Sequence, residues 1–107
     1  MCGIAGVFGK VDSDAVTRMV EVQAHRGPDA KGVWSNAEVP ATLGHSRLSI
    51  IDLSAAGKQP MTNDDGRLCI SYNGEIYNYR ELREELQGLG YRFESKSDTE
   101  VVLAAYQ

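Results

Sequence analysis

Cysteine is scarce in this chain: two in 107 residues, Cys2 and Cys69. A pair cannot build the disulfide framework that staples small secreted domains, so a reducing, cytoplasmic setting is expected. Long apolar runs are missing too. No stretch approaches the ~18 residues of a membrane span, and no basic region followed by an apolar core reads as a secretory signal. Blocks of basic charge are absent: 11 Lys and Arg are interspersed among 15 Asp and Glu, for a net charge of −4. Without a basic stripe there is no nucleic-acid footprint, and without an apolar span there is no membrane partner. The glycines never gather into a phosphate-binding run before a helix. His25 and His45 stand at no ligand spacing from either cysteine, so no metal site is expected. There is no internal repeat and no low-complexity stretch.

What is present is an ordinary soluble composition, 42% hydrophobic and 24% charged, of a size for one domain that buries under ~70% of its unfolded surface. "CGIAGVFG" reads as a buried strand with Ile4 and Phe8 on one face and Ala5 and Val7 on the other. Asp12 or Ser13 caps a helix whose expected inner face carries Ala15, Met19 and Val22, with Val16 and Val20 beside it. "HRGPDAKG" is a loop. "KGVWSN" and "ATLGHSRLSIID" read as strands. A hairpin turning at Asp65-Gly66 leads into a strand "RLCISY". Asn78 is placed to cap a helix with a stripe of Tyr79, Leu82, Leu86 and Leu89, stopped at Gly90. Ser97 and Glu100 have capping-box spacing at the head of the last helix, which reaches Gln107 without a stop signal, as in a cut chain. Several strands follow one another directly, which favours antiparallel α+β over a doubly wound parallel sheet.

The residues that could carry chemistry start with Cys2. As a small hydrophobe it would pack the end of a buried strand. With Met1 removed, it would instead carry a thiol and a free α-amine together. A thiol of reference pKa ~8.5 needs a base, and an α-amine of pKa ~7.7–8.0 can accept a proton at neutral pH. Acyl transfer also needs oxyanion donors. The Asn73 amide and the unshielded Gly74 N–H would serve, although Asn-Gly alone is first a turn dipeptide. Arg47 inside an apolar strand must be paired, either in an ion pair with Asp52 or Glu75 or with a bound carboxylate. Asp98 sits where capping is the default, but Ser97 partly releases it. An arginine with one or two carboxylates suits the two charged groups of a free amino acid. A Cys2–His45 dyad fits on residue types, but a strand-borne His beside Arg47 is a poor base. Cys69, between Leu68 and Ile70, reads as core. Tyr72, Tyr77 and Tyr79 read as core and rim.

The segments "MCGIAGVFG", "HRGPDAKG", "GHSRLSIIDLSAAGKQPM", "YNGEIYNYRELREEL" and "SDTEVVLAAY" occur in the order found in the class II glutamine amidotransferases, which are N-terminal-nucleophile hydrolases. Within that class, "HRGPD", "RLSIID" and "NGEIYN" are similar to the glutamine-hydrolysing asparagine synthetases. The resemblance spans essentially the whole chain. It implies a four-layer α/β/β/α sandwich of antiparallel sheets, with residues 1–107 as the N-terminal part of a truncated glutaminase domain. It implies that Cys2 is the nucleophile, with its own amine as base, and that Asn73 and Gly74 form the oxyanion hole. It further implies that Arg47, with backbone groups of Leu48, Ser49, Ile50 and Ile51, holds the glutamine α-carboxylate, while Glu75 and Asp98 take the α-ammonium. The reaction implied is glutamine to glutamate and ammonia through a γ-glutamyl thioester.

The family's domain continues past the equivalent of Gln107 and into a synthetase domain. ATP, magnesium and aspartate are therefore expected there, and no cofactor in this segment. The implied partners are glutamine and a synthetase domain or subunit that receives ammonia, with a homodimer compatible with the full-length protein. Two alternatives stand beside asparagine synthesis. One is a related amidotransferase that aminates another acceptor. The other is an inactive glutamine-binding fragment, since looseness of about 1 Å can cost most of a rate.

Overall fold

The computed structural model describes residues 2–48 and 54–107. The first helix, α1 (Ser13–Val22), begins where the Asp12 carboxylate accepts from the Ala15 N–H at 3.0 Å. That bond satisfies one of the amides a helix start leaves unpaired. α1 lies on a three-stranded antiparallel sheet of order β1-β3-β2, formed by β1 (Gly3–Phe8), β2 (Ala30–Asn36) and β3 (Ala41–Arg47). The register pairs Ala5 with Gly44 on one side and Val33 with Gly44 on the other.

Gly44 sets how the helix sits. A Cβ at this position would come within 2.5 Å of Val20 and 2.6 Å of Val16. The bare strand lets those two valines descend until both are buried. The Ser46 hydroxyl, on the same face, donates to the Val20 carbonyl at 2.8 Å. The contact line of α1 therefore runs through Val16 and Val20, whereas Met19 and Val22, expected inside, are exposed.

Strand alternation puts His45 and Arg47 on the opposite face of β3. There the chain after Ser54 packs: a short 3-10 turn at Ala55–Gly57, then an antiparallel hairpin of β4 (Met61–Thr62) and β5 (Cys69–Ile70). Gly66, at φ +71°, makes the expected turn, and the Asp65 carboxylate accepts from the Arg67 N–H. The second strand, expected over 67–72, is paired only at Cys69 and Ile70. This layer reaches β2, where Gly32 abuts the Gln59 carbonyl, and leaves much of the β1 side uncovered. Ile4 and Phe8 are consequently 49% and 75% exposed, so β1 is buried on its α1 face rather than on both.

Helix α2 (Tyr79–Gly88) follows, then α3 (Asp98–Tyr106). Asn78 occupies the cap position of α2 without a side-chain hydrogen bond. Tyr79, Leu82 and Leu86 are half-buried, and Leu89, expected in the stripe, is 73% exposed. Gly90 ends the helix as expected, at φ +100°, with its N–H bonded to Gln87 O and that of Tyr91 to Leu86 O. Ser97 caps α3 through the Thr99 N–H at 3.0 Å. The expected capping box does not close. Glu100 instead accepts from the Glu94 and Ser95 N–H groups at 2.9 and 2.7 Å, because the chain before the cap bends back over it. The result is α+β with antiparallel sheets. No helix among the described residues is long and apolar enough to cross a membrane.

Candidate functional site

The pairing of β1 with β3 carries Cys2 alongside Leu48, one residue past the end of each strand. The Leu48 N–H donates to Cys2 Sγ at 3.3 Å, and the thiol reaches the Leu48 carbonyl at 3.6 Å. The thiol is thus held from both sides by one backbone residue. Arg26 Nε donates to the Cys2 carbonyl at 3.2 Å, which ties the loop after α1 to the same point. Both cysteines are free.

Cys2 lies in the wall of an open cavity of about 290 Å³ shared with Gly3, Ile4, Gln23, Arg26 and Asn73. Cys2 and the expected oxyanion donor Asn73 therefore line one space, although they lie far apart in sequence. Another cavity of about 280 Å³ lies beside β4 and α3, and none of the expected site residues lines it. Among the described residues no group of three or more His, Cys, Asp or Glu could hold a metal ion.

The chain leaves β5 at Ile70 and runs through Tyr72, Asn73, Gly74 and Glu75 before α2. Gly74 packs against the Tyr72 ring: a Cβ there would fall within 2.6 Å of the phenol oxygen. Burial, together with the negative charges of Asp98 and Glu75, pushes the Tyr72 phenol above its ordinary pKa. Both carboxylates thus act on one locality. Asp98 is buried, and its Oδ2 accepts from the Ile76 N–H at 3.0 Å. With Ser97 serving as the cap, Asp98 is free to fix the loop that carries Asn73 to Glu75.

Arg47 is 8% exposed, and its Nη1 donates to the Ser54 carbonyl at 2.7 Å. It adjoins Leu48 in the chain but does not line the Cys2 cavity, and neither do Gly74, Glu75 or Asp98. Ser49, Ile50 and Ile51, expected at the α-carboxylate, lie outside the described residues, as does Asp52. Cys69 is half-buried, with its thiol pushed up to about 11 by burial, in keeping with a packing role. Tyr77 is exposed rather than core.

Gln23, Arg26 and Gln59 at this site were not singled out from the sequence, and His45 was weighed there only as a metal ligand or as a base for Cys2, and set aside. Arg26 stood inside a motif read only as a loop, where an arginine ahead of a Gly-Pro turn was the available signal. The positioning contacts of His45 and Gln59 gave no pattern, because their partners, the Tyr72 backbone and the Thr99 hydroxyl, are distant in the chain.

The site joins Cys2 and Asn73 in the wall of one cavity on antiparallel α+β layers. Comparison with known proteins places it more closely. The family model described as "Glutamine amidotransferase domain" matches residues 1–107. The chain is 45% identical over 114 aligned positions to asparagine synthetase [glutamine-hydrolyzing] 1 of Bacillus subtilis (strain 168), covering all of this chain and 18% of that protein. It is 42% identical to asparagine synthetase B [glutamine-hydrolyzing] of Escherichia coli (strain K12), covering all of this chain and 20% of that one. Amidase chry2 of Gibberella zeae matches 82% of this chain at 42% identity. The chain belongs to the glutamine amidotransferase domain family. It spans about a fifth of the length of the curated relatives it matches.

Proposed function

We propose that this chain hydrolyses glutamine to glutamate and ammonia, as the N-terminal part of a glutaminase domain that supplies ammonia for making asparagine from aspartate. The observation that carries the reading is the Cys2 thiol, gripped by Leu48 at a cavity whose wall also holds Asn73. With Met1 removed, the α-amine of Cys2 takes the thiol proton as sulfur adds to the carbonyl carbon of the glutamine side-chain amide. The oxyanion is received by the Asn73 amide and the Gly74 N–H. Collapse expels ammonia, protonated from the same amine, and leaves a γ-glutamyl thioester. Water then attacks the thioester to release glutamate and restore the thiol.

Glu75 and Asp98 receive the substrate α-ammonium, a role supported by the negative potential that both impose on Tyr72. Arg47, with the backbone of residues 48–51, receives the α-carboxylate. Its Nη1 donates to Ser54 O, which orients the guanidinium fork. The α+β layers with β1 exposed on one face support a larger four-layer α/β/β/α sandwich. ATP and magnesium belong, in this reading, to a synthetase domain that accepts the ammonia, in a cytoplasmic enzyme. The match to an amidase favours one second reading, in which the same glutaminase chemistry serves an acceptor other than aspartate.

The test is an intact-mass spectrum of the natural full-length protein before and after a diazo-ketone glutamine analogue. Loss of Met1 and a single adduct mapped to Cys2 are expected. A retained Met1, or an adduct elsewhere, overturns the nucleophile assignment.

A further inference from the structure

The residues just before Asn73 are held in an unusual way. Beyond Ile70 the chain belongs to no strand ladder, yet it crosses β3 to deliver Asn73 to the Cys2 cavity. Three buried or half-buried side chains replace the ladder. Ser71 Oγ donates to the Gly44 carbonyl at 2.9 Å. His45 Nε2 bonds the Tyr72 carbonyl at 3.0 Å. Gln59 Oε1 accepts from the Tyr72 N–H at 2.6 Å. Both polar groups of Tyr72 are therefore taken by side chains, and the carbonyl that His45 holds belongs to the peptide that leads into Asn73.

The clamp is itself anchored. His45 is 0% exposed on β3, a strand paired on both sides. Gln59 is 7% exposed, and its Nε2 donates to Thr99 Oγ1 at 3.0 Å in the first turn of α3. That turn also supplies Asp98 to the Ile76 N–H. A carbonyl can only accept, so the His45 Nε2 facing it must carry the proton. His45 Nδ1 has no hydrogen-bond partner among the described residues, which leaves it the bare nitrogen of a neutral ring. The imidazole thus has one polar contact of its own, and that contact is aimed at the site-bearing segment.

We propose that His45 and Gln59 are positioning residues that clamp the Tyr72 backbone and so fix the Asn73 carboxamide at the Cys2 cavity. This rests on the glutaminase reading for its kinetic consequence, but not for its geometry. A donor that stabilises an oxyanion works only when already in place, and losing one costs about 10²–10³ in rate. Loosening its mount should cost a part of that in kcat and little in substrate binding.

The variants are made in the natural full-length protein. His45→Met should lower kcat for glutamate release tenfold or more, with KM within twofold. His45→Gln, whose amide can reach the same carbonyl, should recover to within threefold of the parent. Gln59→Met should resemble His45→Met. In an Asn73→Ala background, His45→Met should cost less than threefold, since its target is already gone. Full additivity there, a rise in KM without loss of kcat, or a His45→Gln as impaired as His45→Met would each overturn the proposal.

A measurement on the unsubstituted protein stands apart from folding and turnover. Nitrogen-15 NMR should find His45 as the neutral Nε2–H form, with a through-hydrogen-bond coupling to the Tyr72 carbonyl. A protonated Nδ1 or no coupling overturns the clamp. A parent protein that releases no glutamate sinks the glutaminase reading instead, and the imidazole spectrum still decides the clamp.

Discussion

β3 and the segment from Ser71 to Ile76 both deliver residues to the site, but they are held by different means. β3 lies between two partners: every residue from Ala41 to Ser46 is paired on both sides, and Arg47 is paired with Ala30 on the β2 side. Its position is fixed by repeated backbone bonds, and losing one side chain leaves the strand where it was. The segment carrying Asn73, Gly74 and Glu75 has no such ladder. Its mounts are single side chains from distant parts of the chain: Ser71 to Gly44, His45 and Gln59 to Tyr72, and Asp98 to Ile76. The Cys2 side of the site is therefore built on redundant backbone pairing, and the Asn73 side on individually replaceable bonds. Substitutions should affect the two sides differently.

The largest expected effect removes the chemistry without touching either mount. Cys2→Ala should abolish glutamate release while leaving glutamine binding, measured calorimetrically, within about threefold of the parent. Turnover retained by this variant would exclude the thioester route.

Next comes the donor on the weakly mounted segment. Asn73→Ala should cut kcat by about 10²–10³, the range for one lost oxyanion donor, with little change in KM. Arg47→Ala, on the ladder side, should show the opposite split. It removes binding present in ground and transition states alike, so KM rises while kcat holds. Steady-state kinetics on the two variants checks the contrast, and exchanged patterns would exchange the assignments.

The same contrast explains what could be read from the sequence. The elements that could be read carry their own local reasons. Asp12 caps α1, Gly66 turns the hairpin, Gly90 stops α2 and Ser97 caps α3, each through contacts within a few residues. Cys2 and Asn73, singled out from the sequence for their chemistry, line one cavity. The side of α1 that faces inward was misjudged because it depends on Gly44, far along the chain, which admits Val16 and Val20. The burial of β1 was misjudged because periodicity cannot say how far a second layer extends over Ile4 and Phe8. Glu100 carried a capping-box pattern but bonded the chain before the cap instead. The clamping contacts of His45 and Gln59 on Tyr72 were missed for the reason that makes their segment fragile: each is a single side-chain bond to it with no repeat to announce it.

A smaller effect tests the helix contact on the ladder side. Gly44→Ala would push a methyl into Val16 and Val20. Overpacking of this kind costs about 1–3 kcal/mol, read as a lower urea midpoint with an unchanged slope. Because β3 is held on both sides, glutamate release per folded molecule should stay within about twofold. A large loss of rate in the folded fraction would show that β3 is not the rigid member of the pair.

The smallest effect is a pH dependence of stability written by the clamp. Burial first, and the nearby Arg47 charge after it, hold the His45 pKa below its ordinary 6.5, against the raising effect of the Tyr72 carbonyl bond. The unfolded chain then binds a proton at this residue more readily than the folded one, so folding is disfavoured as that proton becomes available. Above pH 6.5 both states are neutral at His45, and stability is independent of it. As pH falls below 6.5 the unfolded state gains the proton first, and stability declines until the folded pKa is reached. For one proton the slope cannot exceed about 1.4 kcal/mol per pH unit. The quantity to measure is a difference between proteins, in which the contributions of all other groups cancel. Urea unfolding of the parent and His45→Gln at pH 7.5, 6.5 and 5.5 should give curves that differ by a constant above 6.5 and converge below it, because the glutamine has no proton to gain. Parallel curves throughout would mean that His45 titrates alike folded and unfolded. That outcome would contradict a buried ring held to the Tyr72 carbonyl with no partner at Nδ1 among the described residues, and the mount of the Asn73 segment would then have to be sought elsewhere.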